Sequence, residues 1–356
     1  MKCKVELSHR ERVRLALQHK ETDRVPVAMV CSGINEPARS NFDGYLRKNR
    51  GITLDEYLAP VIDIRNIGPD YVGPELPSGT DIWGVRRHRV NNDDGSYDEE
   101  FEFQPLADAG IDGIRAHPWP TTDMFDYGAM RQKIRDLRKN GDFCLMASNG
   151  NLFETSWYMM GFEQTLMNLL TEPEIVQSVL EKVTEFYIAH FRKILDVAED
   201  EIDLVFTADD IGSQQGLLFS LETWERNIKP WHISLNKVIH EYGAKVIYHS
   251  DGSVAEAVPG LIDMGIDVLQ ALQFDAKGMD PFFLKEQYGD KLCFEGGISV
   301  QSTLPFGTPE KVREEVIERI RVLGRNGGYI LGPSHVIQAG TPPENIAAMF
   351  DAAVEE

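Results

Sequence analysis

AKVIYHSDG, residues 244–252, runs from a strand directly into polar chemistry. Lys245, Val246, Ile247 and Tyr248 have the β-branched and aromatic character of a buried strand, and Gly252 ends it after His249, Ser250 and Asp251. In an α/β protein, polar groups at the carboxyl end of a strand lie where ligands bind. His249 and Asp251 are two residues apart, so an extended chain projects both to one face. A histidine and a carboxylate converging at a strand mouth can hold a metal or move a proton. The same residues read equally as an aspartate capping the next helix beside a packed histidine.

Working outward, further strands start near Arg24, Asp63, Phe143, Asp203, Asp267, Leu292 and Gly328, making eight with Lys245. Most alternate with helical patterns, among them an N-terminal helix opened by Ser8 and Glu11 as a capping box and running to about residue 19. Residues 83–90 and 97–103 alternate polar and apolar around NNDDGS, a hairpin signal. Eight parallel strands with right-handed helical crossovers close into a barrel. The expected fold is α/β, a (β/α)8 TIM barrel over residues 1–356 as one domain, with an N-terminal helical extension and a β-hairpin insertion at about 82–104. A doubly wound sheet is the alternative, weakened because no G-x-G-x-x-G follows the first strand.

The 42% apolar fraction supports a substantial core, and the net charge of −21 is spread along the chain. Such a surface repels phosphate backbones and argues against nucleic acid. Cys3, Cys31, Cys144 and Cys293 form no C-x-x-C pair, which suits a reducing compartment. The charged N-terminus lacks an apolar signal core, and no segment has the ~20 apolar residues a membrane span needs. A soluble cytoplasmic protein is expected, and a homodimer is left open.

If the chain is a barrel, its functional rim is unusually polar: Cys31, Ser32, Asn66, Asn149, Asp209, Asp210, His249, Asp251, Gln270, Gln273, Glu295 and His335. Burying such groups unpaired costs about 1–3 kcal/mol each, so their number points to a binding or catalytic pocket. One of Asp209 and Asp210 is expected to face the pocket; a double-aspartate turn is the simpler alternative. Glu154 follows a strand end in the first turn of a helix, where the dipole already favours an acid. Trp157 and Tyr158 wall a pocket for a flat substrate or are simply core. A barrel brings its last strand beside its first and places the fifth strand across the mouth. His249, Asp251 and His335 can therefore converge on one Zn²⁺ with an open fourth position, although His335 also reads as a loop histidine. Gly296-Gly297 and Gly327-Gly328 precede no G-K-[ST] and read as turns.

Five segments give the chain a family likeness: ADDIGSQQGLLFS (208–220), AKVIYHSDGSV (244–254), DMGIDVLQALQ (263–273), FEGGISVQSTLPFGTPEKVREEV (294–316) and GGYILGPSHVIQAGTPPENIAAM (327–349). With these it resembles the uroporphyrinogen decarboxylase superfamily, and more closely its corrinoid-dependent methyltransferase branch, which is implied to be a TIM barrel. Porphyrinogen decarboxylases carry an arginine-rich R-Q-A-G-R segment after the first strand. Here that position reads CSGINEPAR, with only Arg39 nearby. Eight substrate carboxylates need cationic partners, so an acidic rim argues against a porphyrinogen.

The methyltransferase branch carries zinc on H-x-C and a later cysteine. His249 matches the motif histidine, Asp251 stands at the cysteine position, and His335 lies in the region of the later cysteine. A His/Asp/His set is harder and more oxygen-loving than a thiolate set. The resemblance thus implies a zinc-dependent methyltransferase that takes a methyl group from a methoxylated or related small donor and passes it to a corrinoid (cobalamin) on a partner carrier protein. Within it, His249, Asp251 and His335 are the expected metal ligands and Asp209, Asp210 and Glu154 the expected catalytic acids. Asn149, Trp157, Tyr158, Gln270, Gln273 and Glu295 are the expected substrate contacts. The alternatives are a decarboxylase of a small carboxylated substrate and a non-catalytic barrel holding a tetrapyrrole or corrinoid.

Overall fold

The computed structural model describes residues 6–30, 33–92 and 97–355. Ile64–Asn66, Cys144–Asn151, Leu204–Ala208, Lys245–His249, Val268–Gln270, Cys293–Ile298 and Tyr329–Pro333 form one parallel sheet, each strand beside the next in the chain. Seven of the eight expected strands are these. The eighth, near residues 24–30, is reduced to a bridge between Val27 and Leu331. It still joins the sheet's two edges. Ala28 N–H donates to the Leu331 carbonyl at 2.9 Å, Leu331 N–H to the Pro26 carbonyl at 2.8 Å, and Asp63 N–H to the Val27 carbonyl at 2.8 Å. Pro26 has no N–H to give, which shortens the ladder at this stave. The architecture is the TIM-barrel-like α/β fold expected. Cys31 and Ser32, expected on the rim after this stave, lie outside the described residues.

Side-chain alternation sorts the strand residues between two cores. Ile64, Met146, Leu204, Phe206, Ala208, Ile247, Val268, Cys293 and Ile330 fill the barrel interior. Val205, Val246, Tyr248 and Leu269 point outward into the layer shared with the helices. The N-terminal helix, His9–Leu17, seals the barrel's lower end by sending Val13 and Ala16 into the interior cluster. Its capping box is formed as expected: Ser8 Oγ accepts from Glu11 N–H at 3.1 Å, and the Glu11 carboxylate accepts from Ser8 N–H at 3.0 Å.

That lower end repeats one device three times. Asp63, Asp203 and Asp267 each stand just before a strand, and each carboxylate accepts an N–H from the neighbouring stave: Val27 at 2.7 Å, Leu145 at 3.3 Å and Val246 at 2.8 Å. Basic side chains pair with each carboxylate. Asp63 holds His9 at 2.7 Å, Arg12 at 2.7 Å and Arg24 at 2.8 Å. Asp203 holds Arg10 and Arg14, and Asp267 holds His240 and Lys245. A buried carboxylate tolerates loss of water only when its lone pairs are filled in this way.

The hairpin pairs Arg86–Asn91 with Tyr97–Phe103, and its tip, residues 93–96, lies outside the described residues. Its alternation predicts one buried face, yet every residue of Tyr97–Phe103 is exposed, because two strands alone project from the barrel. It is tethered by Phe101, whose ring lies 5.7 Å from Trp157 and 5.6 Å from Tyr158, and by Arg87 stacked over Phe101 and Tyr158. Gly296 and Gly297 are strand residues rather than turn residues. Both have positive φ, and a Cβ on Gly296 would come 2.2 Å from the Ala271 carbonyl, so backbone approach is what requires glycine there. No described helix is long and apolar enough to cross a membrane.

Candidate metal centre and catalytic mouth

Parallel register sets the level of the site. Ala208 pairs with His249, and His249 with Gln270, so the ends of three consecutive strands lie side by side. Alternation continues the inward series from Ile247 to His249, from Val268 to Gln270 and from Cys293 to Glu295. These three polar side chains therefore stack on top of the apolar interior. The same count settles the two aspartates. Phe206 and Ala208 point inward, so Asp210 follows them into the mouth, and Asp209 turns outward with Val205.

At the mouth, His249 Nε2 lies 3.5 Å from Asp210 Oδ1 and 4.0 Å from Asp251 Oδ1. His335 Nε2 lies 3.7 Å from Asp251 Oδ2, and the two imidazoles are 5.9 Å apart. One ligand atom each from His249, Asp251 and His335 falls within 4.8 Å of the others. Tetrahedral zinc with ~2 Å bonds sets its ligand atoms about 3.3 Å apart, so small side-chain movements suffice. Among the described residues no lysine or arginine pairs with Asp210 or Asp251; Asp210 Oδ1 accepts the Asp251 N–H at 2.7 Å, and the other charged neighbours of the two acids are histidines. The donor set is nitrogen and oxygen without sulfur, and it suits a borderline divalent cation.

The electrostatics follow from this crowding. Burial works against a charged His249, but Asp210, Asp251 and Glu154 outweigh it and raise its pKa. Burial raises Asp251, opposed by His249 and His335. Burial lowers His335, opposed by Asp251. Glu154 is pushed up to about 7, chiefly by burial and then by Asp210 and Asp209. Its carboxylate accepts from Asn151 Nδ2 at 2.6 Å and from the Tyr158 hydroxyl at 3.2 Å.

The other expected site residues divide by where they point. Asp209 is fully buried; Oδ1 accepts Glu154 N–H at 2.8 Å, capping the Phe153–Met160 helix, and Oδ2 meets His232 Nε2 at 2.5 Å. It positions the Glu154 helix instead of facing the mouth. Gln273 accepts Gly252 N–H at 2.8 Å and holds the turn after His249. Glu295 is fully buried below the mouth beside Gln270, and burial raises its pKa well above the ordinary value. Trp157 packs against the hairpin and Phe162. Asn149, Ser148 and Phe125 stand between two clefts of about 460 and 490 Å³; Tyr158 lines the larger, and Phe206, 5.9 Å from the His249 ring, lines the smaller. His232, His190 and Tyr127 were not anticipated. His232 could have been suspected from its place in KPWHISLNK, where helical spacing puts it on the apolar face with Leu235 and Ile239.

Gln270 decides which nitrogen of His249 is presented. Its Oε1 is hydrogen-bonded to His249 Nδ1, which leaves Nε2 for the acids and a metal. If His249 Nε2 holds a zinc ion, a Gln270→Leu variant is expected to lose about 10–100-fold in affinity for it, the usual cost of removing such a partner. Competition with a chromophoric chelator measures it, and unchanged affinity would rule the role out.

The chain is 27% identical over 203 residues to a methylated-thiol–coenzyme M methyltransferase of Methanosarcina mazei, covering 57% of this chain and 51% of that protein. It is 22% identical over 247 residues to a uroporphyrinogen decarboxylase of Pseudoalteromonas translucida, covering 65% of this chain and 64% of that one. The chain thus spans between half and two thirds of the length of these relatives. A solved methyltransferase from Methanosarcina mazei superimposes with a TM-score of 0.72 at 17% identity, covering 98% of this chain and 99% of that one, which shows the shared fold. The description that matches residues 121–356, more than half the chain, is uroporphyrinogen decarboxylase. The chain therefore belongs to the uroporphyrinogen decarboxylase (URO-D) family, and its relatives include both a methyltransferase and decarboxylases.

Proposed function

We propose that this protein moves a methyl group from a methoxylated or related small donor to a corrinoid on a carrier protein, with His249, Asp251 and His335 holding a zinc ion. The observation that carries this reading is the sulfur-free cluster of three ligand atoms within 4.8 Å, at the strand ends of the barrel. The residues fit the metal: acids without lysine or arginine partners surround His249, and its Nδ1 is already taken by Gln270. Zinc held there would act as a Lewis acid on the donor's ether oxygen, making it a better leaving group.

The chain's own residues supply the rest. The carbon–oxygen bond breaks with its electron pair on the oxygen, the methyl group goes to the reduced corrinoid, and the oxygen needs a proton. Glu154, with a pKa of about 7, holds that proton near neutral pH, between Tyr158 and Asn151. Burial, and after it Asp210 facing the same space, keeps the proton on Glu154. Asn149 and Tyr158 border the donor's approach through the clefts.

The sign of the pH dependence follows. A general acid works in its protonated form, so methyl transfer is expected to fall as pH rises through the Glu154 pKa, which is about 7 without metal and which a bound cation would lower. In Glu154→Gln this alkaline limb disappears; the rate is lower by about 10²–10⁴-fold below the pKa, and the gap closes as pH rises above it. A pH profile of kcat that keeps the same limb in the variant would remove Glu154 from the role. The reaction itself is tested by incubating the metal-loaded protein with methoxylated donors and reduced cobalamin, following the loss of the Co(I) absorbance. Expected is donor-dependent formation of methylcobalamin. Release of CO₂ from a carboxylated substrate with no corrinoid requirement would favour the decarboxylase alternative instead.

A further inference from the structure

Asp209 joins the two halves of the mouth through its own bonds. Its N–H donates to the His249 carbonyl at 3.1 Å, and its Oδ1 accepts the Glu154 N–H at 2.8 Å. One residue thus ties the strand end carrying His249 to the helix carrying Glu154. We infer that His232 is a positioning residue for the reaction: its Nε2–H grips the Asp209 carboxylate against the Glu154 helix and so sets where Glu154 stands relative to His249. This deepens the reading of Glu154 as the acid in methyl transfer and rests on it.

The Glu154 helix, Phe153–Met160, lacks a cap of its own. Leu152 occupies its N-cap position and offers no side-chain acceptor. Asp209 supplies one from the neighbouring strand end, where the helix N-terminus also favours a negative charge. A carboxylate in a dry interior is costly unless both oxygens find donors. His232 Nε2 meets the second oxygen at 2.5 Å, and the Tyr248 hydroxyl donates to the Asp209 carbonyl at 3.2 Å. Asp209 and His232 are both fully buried, so water does not stand in for either.

Packing alone does not call for a histidine at this place. The His232 ring stands edge-on to Tyr248, 5.2 Å away at 87°, a contact that a phenyl ring makes equally well. Among the described residues its Nδ1 has no hydrogen-bond partner, so the bond to Asp209 is the imidazole's one polar contact. Burying an imidazole costs free energy that burying a phenyl ring does not, and the return is the hold on Asp209. His232 belongs to the Lys229–Glu241 helix, so the acid at the mouth is anchored from the helical layer outside the barrel.

The test compares His232→Phe, which keeps the ring and loses the donor, with His232→Gln, whose amide N–H can reach the same oxygen. Hydrogen exchange of the Glu154 amide, followed by nuclear magnetic resonance on the metal-free proteins, reports the bond to Asp209. It is expected to speed up at least about tenfold in the Phe variant, the size of one lost hydrogen bond, and to stay slow in the Gln variant. In methyl-transfer assays the Phe variant is expected to lose about 10–100-fold in kcat, the cost of misplacing a reacting group by about 1 Å. Its KM for the donor, its metal content and its circular dichroism are expected to stay unchanged, and the Gln variant to recover most of the rate. Unchanged Glu154 exchange in His232→Phe, an unchanged kcat in it, or equal losses in the two variants overturns the inference. Because exchange is read without metal or donor, the expected exchange pattern in a protein that transfers no methyl group leaves the hold on Glu154 standing and sinks the reaction.

Discussion

His249→Ala is expected to bind zinc at least about 100-fold more weakly than the wild type and to lose methyl transfer with it. Removing a mere hydrogen-bonding partner of a ligand costs about 10–100-fold, and a ligand costs more. His249 is the best supported of the three. It lies on a strand, is only 7% exposed, and is fixed on its far side by Gln270, whereas Asp251 and His335 sit on loops and are about a third exposed. The substitution removes an imidazole from above the barrel interior and leaves the lower seal untouched. The variant is therefore expected to remain folded, and an unchanged circular dichroism spectrum separates lost metal from lost structure. Full activity in this variant would contradict the metal assignment.

Asp63→Ala is expected to destabilise the protein by about 3–5 kcal/mol, because breaking a buried ionic group strands its partners without their counter-charge. Asp63 is fully buried; its loss takes the acid from His9 and Arg24, leaves Arg12 to Asp23 alone, and leaves Val27 N–H without an acceptor at the stave that joins the sheet's edges. Burial alone would raise its pKa, but His9, Arg24 and the Val27 N–H outweigh it and hold it below the ordinary value. A depressed carboxylate contributes its stability above the unfolded value, near 3.9, and loses it as pH falls through the folded value. Denaturant titrations at pH 7 are thus expected to show the full difference between wild type and variant, shrinking below about pH 4. A difference under about 1 kcal/mol at pH 7 would mean that the N-terminal helix seals the barrel without this charge network.

Much of the barrel was legible because a buried parallel strand announces itself by an apolar run, and seven of the eight strand starts carry regular strands. The first stave was harder. RVPVAMV has the composition of a strand, but Pro26 removes a donor and the ladder shrinks to a bridge at Val27. The hairpin was readable from NNDDGS, whereas its exposure was not, since alternation states which faces differ and not whether either is covered.

The proximity of His249, Asp251 and His335 was legible as residue types at strand ends, because barrel topology alone brings those ends together. The orientation of Asp209 and Asp210 was not. Both faces of the Leu204–Ala208 strand are apolar, and only the packed interior shows that Ala208 points inward and hence that Asp210 follows it. Gln273 and Glu295 were polar at the expected places, but one is used by the backbone of Gly252 and the other is buried beneath the mouth. His190 gave no signal in the sequence, because a histidine inside the long helix Pro173–Ala198 is indistinguishable from a packed core residue until Tyr127 and the cleft are placed around it.

The central claim, that His249, Asp251 and His335 form a zinc site, is tested most directly by elemental analysis of the purified chain beside His249→Ala. The account predicts one zinc per wild-type chain and none retained by the variant after the same dialysis. No stoichiometric metal in the wild type, even after zinc is supplied, or equal metal in both proteins, would contradict it.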